Sequence, residues 1–278
     1  MQPAAQSVPR IDAHHHLWNP RTRSLPWMDG PWADPIRRTW AEEDLRPHLR
    51  DHGITATVVV QACHSTGETG ELLALKERSE KVAAVVGWAD LTAPGGPELP
   101  TGLAGVRHQT EGLADPEWLC RPDVRRGLTA LARAGLVYEL LVTPRELPAA
   151  LETVRALPEL RFVLDHAAKP RVASGAWEPW STLLRRLAAS PNVVCKLSGL
   201  VTEADWQDGR RTRILPYARY VLEVFGPDRV LFGSDWPVCT LAASYDQVVA
   251  LAEEATAHLA PQERAAVFGG NAARVYGI

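Results

Sequence analysis

Three histidines close the first apolar-and-charged run of the chain, Val8 to Asp12, in the segment Asp12-Ala13-His14-His15-His16. Alternate side chains of a β-strand share a face, so His14 and His16 point one way and His15 the other. Two imidazoles on one face at a strand end can hold a metal ion or orient a polar substrate. The competing reading is a surface histidine run or a tag remnant, but a strand and an acidic residue precede only three histidines here. Other polar residues end later apolar runs: Gln61 with His64, Arg107 with His108, Tyr138 with Glu139, Asp165 with His166 and Lys169, Lys196 with Ser198, and Asp235 before Trp236. This set holds His14, His16, His64, His108 and His166 of the nine histidines, a clustering that surface residues would not show.

The elements that must position them follow from periodicity. After Val8–Asp12, buried β-branched runs recur at Ile54–Cys63, Val82–Leu91, Leu103–Gln109, Leu136–Val142, Arg161–His166, Asn192–Leu200 and Val230–Asp235. Helical spacing fills most intervals: Trp40–His52 ending at Gly53, Gly70–Lys81, Asp123–Ala134, Pro144–Leu157, Pro179–Ala189 and Arg213–Phe225, then Ser244–Leu259 and Pro261–Tyr276. Short apolar strands alternating with helices pair in parallel through right-handed crossovers, and eight of similar length close into a barrel. The expected fold is a single distorted α/β (β/α)8 TIM barrel over residues 10–278, behind a flexible tail at residues 1–9. Between strands three and four, TAPGGPELPT (Thr92–Thr101) is too rich in proline and glycine for a full helix, so that helix is shortened or missing. The long loop Leu17–Thr39 carries Trp18, Trp27 and Trp32 and reads as an ordered wall or lid.

Active sites of such barrels lie at the C-terminal strand ends. Each candidate still has a structural alternative. Asp235 could cap the segment after it, yet it shares a strand face with Leu231 and Gly233, and a lone inward carboxylate needs partners. Arg107 is balanced between an ion-pair role and substrate or oxyanion binding. Alternation separates Asp165 from His166, so only one should face the pocket, and a buried Asp165 would orient a neighbour. It likewise sets His108 opposite Arg107 unless the strand ends there. Glu139 could form a salt bridge inside the barrel, and Lys196 and Ser198 could fill its polar end.

Composition narrows the class. The 278 residues are 46% hydrophobic and 23% charged, those of an ordinary globular protein. A net charge of −3 makes no case for nucleic acid or an anionic membrane surface. No stretch is apolar enough for a signal peptide or a membrane span, and the four cysteines show no C-x-x-C spacing, so a cytoplasmic protein with reduced thiols is expected.

The segments IDAHHHLWNP, GVRHQ, LDHAAKP, CKLSGL, FGSDWPV and FGGNAARVYG resemble the amidohydrolase superfamily. Within it they resemble the amidohydrolase-related (amidohydrolase 2) group, which contains L-fuconolactonase, L-rhamnonolactonase and 2-pyrone-4,6-dicarboxylate lactonase. The resemblance implies His14 and His16 as the strand-one pair, with His166 and Asp235, and Arg107 against the substrate's carbonyl or carboxylate. It leaves two alternatives for the centre. One divalent ion, zinc first, would sit on His14, His16 and Asp235 and be completed by His166 or Glu139; otherwise catalysis is metal-free. A two-metal site is disfavoured, because strand four offers Arg107 and His108 in place of a bridging ligand.

The expected reaction is hydrolysis of a sugar-acid lactone, an aldonolactone such as L-fucono- or L-rhamnonolactone, or a related cyclic ester. Asp235 would be the base, His166 would position the water, and His14, His16 and Arg107 would polarise the carbonyl. Trp18, Trp27, Gln61, His108, Glu139, Lys169 and Trp236 make up the expected substrate-contacting set. A metal-dependent decarboxylase of an aromatic or unsaturated acid is the alternative, although its strand-five histidine is missing. A non-catalytic sugar-binding barrel fits worst.

Overall fold

A computed structural model describes residues 8–206 and 211–278. Eight parallel strands pair strictly in chain order: β1 (Ile11–His15), β2 (Ala56–Val60), β3 (Val82–Gly87), β4 (Gly105–Gln109), β5 (Val137–Leu141), β6 (Phe162–Leu164), β7 (Val193–Leu197) and β8 (Val230–Phe232). Backbone bonds beyond β8 complete the ring, with Asp235 N donating to His14 O at 2.8 Å and His16 N to Trp236 O at 2.7 Å. The result is a TIM barrel. Around it run α1 (Glu42–Asp51), α2 (Thr66–Arg78), α3 (Pro122–Arg133), α4 (Leu147–Ala156), α5 (Trp180–Ala188), α6 (Arg211–Phe225) and α7 (Tyr245–Ala255).

Local chemistry sets the ends of these elements. Ser65 caps α2 by accepting from Glu68 N, and Ser244 with Gln247 forms a capping box on α7. Between β3 and β4 no helix forms, as the prolines and glycines of Thr92–Thr101 require. The strands are shorter than their apolar runs, since residues past each C-terminal end leave the sheet to build the cleft. The first strand also begins later than its apolar pattern, at Ile11.

The last helix differs from expectation. Pro261–Tyr276 is not one α-helix but α8 (Pro261–Ala265), a π-helical turn (Ala266–Gly270) and α9 (Asn271–Tyr276). The wide turn lays Gly269 against the start of the chain, where a Cβ would stand 1.6 Å from the carbonyl oxygen of Pro9. Only glycine permits that approach. Of the tail expected over 1–9, positions 1–7 lie outside the described residues.

Two apolar layers hold the barrel. One packs the helices against the outside of the strands. The other fills the barrel at its N-terminal end, where Ile11, Val58, Val86, Val137, Val163 and Leu231 meet Ala272, Val275 and Tyr276 of α9. The cleft lies at the opposite, C-terminal end. The loop Leu17–Thr39 has a small core of its own, Trp18, Leu25, Met28, Ala33 and Ile36 against Ala62 and Cys63. Trp27 pins it by donating to Ala62 O at 2.8 Å. No helix among the described residues is long and apolar enough to cross a membrane.

Candidate active site

A cleft of about 410 Å³ opens at the C-terminal strand ends, within the usual span for a small ligand. His16, Arg107, His166 and Asp235 form its floor. Trp27, Trp32, Leu141, Trp206, Val238 and Leu241 make apolar walls, and Gln109, Glu111, Lys169, Thr202 and Glu203 a polar rim. Tryptophan rings run in sequence around one side, Trp18 to Trp27 at 5.5 Å, Trp27 to Trp32 at 6.3 Å and Trp32 to Trp206 at 6.4 Å between centroids.

On the floor, Oδ1 of Asp235 faces three imidazole Nε2 atoms: His16 at 3.6 Å, His14 at 3.8 Å and His166 at 3.8 Å. These separations are too long for direct hydrogen bonds, but one small guest can reach all four atoms. Asp235 itself sits in the left-handed region, φ 57°, a conformation that aspartate and asparagine tolerate better than most residues. Burial pushes its carboxyl up; His166, His16 and Lys169 outweigh this and hold it below its usual range. Asp235 therefore stays ionised at neutral pH. Burial lowers His166 to about 4 against the opposing pull of Asp235 and Asp165, with Lys169 and Arg107 adding to the lowering, so the imidazole is neutral at neutral pH.

Asp12 anchors this floor. Its Oδ1 accepts from Ser234 N at 2.8 Å and His14 N at 3.2 Å, and its Oδ2 accepts from the Tyr245 hydroxyl at 3.1 Å. The first strand and the segment carrying Asp235 are thus pinned to one carboxylate.

Beneath the floor lies a fully buried ionic layer. The Lys196 ammonium donates to Glu139 Oε1 at 2.6 Å and His14 Nδ1 at 2.9 Å, and stands 3.2 Å from Asp165 Oδ1. Tyr276 donates to the same Glu139 oxygen at 2.5 Å. Asp165 Oδ2 also accepts from Arg107 Nη1 at 3.2 Å, while Arg107 Nη2 donates to Gln61 O at 2.6 Å. Burial and Asp165 raise Glu139 to about 7 against the pull of Lys196. An ammonium has only donors, so His14 Nδ1 accepts and the His14 proton sits on Nε2. His16 Nδ1 in turn donates to Val60 O at 2.8 Å, leaving its Nε2 to accept from His14 at 3.1 Å.

Strand alternation does not survive in one place that matters. β6 ends at Leu164, and His166, Ala167, Ala168 and Lys169 follow with φ of 50°, 50°, 59° and 48°. This left-handed turn swings His166 onto the floor while Asp165 remains in the layer below, so both point into the barrel but only His166 faces the cleft. L-residues disfavour such backbone by roughly 1–2 kcal/mol each. Gly199 receives the displaced ring: at φ 64°, its Cβ would stand 2.5 Å from His166 Nδ1. Gly199→Ala is therefore expected to displace His166 and lower turnover by ~10²-fold, as a misplacement of about 1 Å does. Steady-state kinetics beside a melting curve would check this, and unchanged kcat would show that His166 needs no such seat.

Several expected contacts lie elsewhere. His108 is outside the cleft on the other face of β4, stacked between His64 at 3.9 Å and Trp118 at 4.2 Å, because strict alternation continues to the strand end. Glu139 is bound to Lys196, on the Nδ1 side of His14, away from Asp235. Gln61 is buried and supports Arg107 by donating to its backbone oxygen at 3.0 Å. Trp18 and Trp236 are buried behind the lining, Trp236 edge-on to Trp40 at 5.1 Å. Lys169 and Trp27 do line the cleft. Glu111, Glu203, Gln109 and Trp206 also line it without a mark in the sequence, because they sit at a strand end or in loops outside any periodic pattern. Burial raises Glu203 to about 7, with Lys169 opposing and Glu111 reinforcing the shift.

The donors His14, His166 and Asp235 lie close enough together to share one ion. The His14–His16 spacing of 3.1 Å and the 3.6–3.8 Å spacings from Asp235 to His14, His16 and His166 bracket the ~3.3 Å edge of a tetrahedral zinc site. A second cluster of His14, Glu139 and Asp165 already surrounds a cation, the Lys196 ammonium.

A family model described as Amidohydrolase matches residues 11–278. The L-fucono-1,5-lactonases of Burkholderia ambifaria and Burkholderia multivorans are 42% and 41% identical to this chain, each over 97% of it and 96% of theirs. The crystal structure of an amidohydrolase from Burkholderia multivorans with bound zinc superposes with a TM-score of 0.91 at 41% identity, covering 98% of this chain and 100% of that one.

Proposed function

The chain belongs to the amidohydrolase family, and on that premise we propose that it hydrolyses a sugar-acid lactone of the L-fucono-1,5-lactone kind. One observation carries the reading: the Asp235 carboxylate faces three imidazoles at 3.6–3.8 Å, a guest-sized gap at the bottom of a cleft. Full-length similarity to two lactonases supports it.

In this reading the lactone carbonyl lies over the floor with its oxygen toward Arg107, and His166 holds a water against Asp235. Water oxygen bonds to the carbonyl carbon as its proton passes to Asp235. The guanidinium, fixed by Asp165 and the Gln61 carbonyl, balances the charge that gathers on the carbonyl oxygen. Collapse breaks the bond to the ring oxygen, and Asp235 returns the proton to that alkoxide. The products are one hydroxy acid per water consumed. Trp27 and Trp32 present apolar faces to the ring.

A divalent ion fits the donor set of His14, His166 and Asp235, with His16 as a fourth donor, once the His14 proton has moved from Nε2 to Nδ1, where Asp165 Oδ1 lies 3.4 Å away. Such an ion would polarise the carbonyl and acidify water. The decarboxylase alternative finds no support on β5, where Tyr138 packs edge-on against Phe162 and Glu139 is tied to Lys196.

A pH-indicator assay on neutral five- and six-membered aldonolactones tests the reading. Acid release well above the buffer rate is expected, and a panel opened no faster than in buffer alone would overturn it. Chelation with metal analysis divides the roles. Turnover by metal-free protein would leave polarisation to Arg107, whereas loss restored by zinc would give it to the ion.

A further inference from the structure

We infer that Glu111, Lys169 and Glu203 form a specificity rim that takes the vicinal hydroxyls of a neutral polyhydroxy lactone and turns away lactones bearing a carboxylate. The inference rests on the lactonase reading and names the substrate class within it.

Three cations lie near the strand ends, Arg107, Lys169 and Lys196, and an anionic substrate would need one of them as its partner. The structure removes each from that role. Lys196 is fully buried beneath the floor. Arg107 lines the floor, ion-paired to Asp165 at 3.2 Å, and in the lactonase reading its free side is taken by the lactone carbonyl oxygen, so it is not left for a carboxylate elsewhere on the ring. Lys169 reaches the cleft, yet it lies 2.5 Å from Glu111 Oε2 and 3.9 Å from Glu203 Oε1. Its ammonium is thus neutralised by the two carboxylates on either side.

What remains on the rim is a row of acceptor, donor and acceptor. Each hydroxyl of a diol both donates and accepts, so it can give a proton to a carboxylate oxygen and receive one from the ammonium. A carboxylate only accepts, and on the rim formed by the described residues it would meet Glu111 and Glu203, with Lys169 already paired to both. The side chains keep partial access, 35% exposed for Glu111, 22% for Lys169 and 23% for Glu203, so a guest can reach all three. Trp32 and Trp206 close the mouth with rings that suit the C–H faces of a sugar and offer no charge to an anion.

The test compares two lactones with the same ring at pH 8, where Glu203 is ionised. One is a neutral aldonolactone; the other is the aldarate monolactone, in which a carboxylate replaces the terminal carbinol. The intact protein is expected to favour the neutral lactone by at least ~10²-fold in kcat/KM, with the margin narrowing as salt rises. The double variant Glu111→Gln, Glu203→Gln is expected to bring the ratio below ~10-fold, by losing on the neutral lactone and gaining on the anion. A ratio near one in the unaltered protein, or a ratio unmoved in a folded double variant, would overturn the rim. If the variant does not fold, the salt series on the unaltered protein decides: a margin independent of ionic strength overturns it. If neither lactone is opened, the lactonase reading falls. Quenching of the cleft tryptophans then reads the rim by binding alone, with the same preference expected for the neutral compound and equal affinities overturning it.

Discussion

Asp235→Asn should lower lactone turnover by ~10²–10⁴-fold with little change in KM, the worth of a positioned proton-transfer group. Asparagine is the informative replacement because the residue stands at φ 57°. It tolerates left-handed backbone about as well as aspartate, so the bonds from Asp235 N to His14 O and from Cys239 N to Asp235 O should persist. Alanine would add backbone strain to the loss of the base and blur the two. A melting temperature close to that of the unaltered protein, beside a collapsed kcat, would place the defect in chemistry. Near-normal turnover would remove Asp235 from the role of base.

The second large effect concerns the layer that never meets substrate. Lys196→Met should destabilise the fold by about 3–5 kcal/mol, the usual consequence of removing one partner from a buried ionic cluster. Glu139 and Asp165 would be left facing each other without the ammonium that lies 2.6 Å from one and 3.2 Å from the other. Adding Glu139→Gln removes one of the two stranded charges and should recover a measurable part, read as the coupling in a double-mutant cycle. The pH dependence has a definite sign. Glu139 is raised from 4.5 to about 7 in the folded protein, so its stabilising effect is full below about 4.5 and declines as pH rises through the folded value. Without Lys196 that value rises further, and the deficit should be larger at pH 8 than at pH 5. Melting curves at both pH values would check this; a deficit independent of pH would mean that Glu139 stays protonated throughout.

Much of this was legible in the sequence because a strand has a strict period of two. That rule puts His14 and His16 on one face, sets His15 against Thr57 at 3.0 Å, and separates Arg107 from His108. The barrel itself follows from eight apolar runs of similar length. Periodicity gives a face but not a depth, however. Glu139 and Lys196 point into the barrel like Arg107, yet they lie below the floor, where only the packing of α9 shows how much room is left. The rule also needs a strand. At Leu164 the strand stops, and nothing in Asp-His-Ala-Ala-Lys announces four left-handed residues, since histidine is enriched there but alanine and lysine disfavour that backbone. Glu203 lies in a loop with no period at all, and Glu111 two residues past the end of β4, so tertiary structure alone joins them to Lys169.

The left-handed turn has a consequence for how such a cleft could acquire a new substrate. His166 and Lys169 hang from the same four-residue hook, whose every φ lies between 48° and 59°. Moving the lysine to greet a different sugar would drag the histidine off its mark, so selection should hold both still. Glu111 and Glu203 stand on separate supports that share nothing with the chemistry. Lineages that diverge in diet would be expected to rewrite those two acids, and to keep the lysine as the fixed point from which the change is measured.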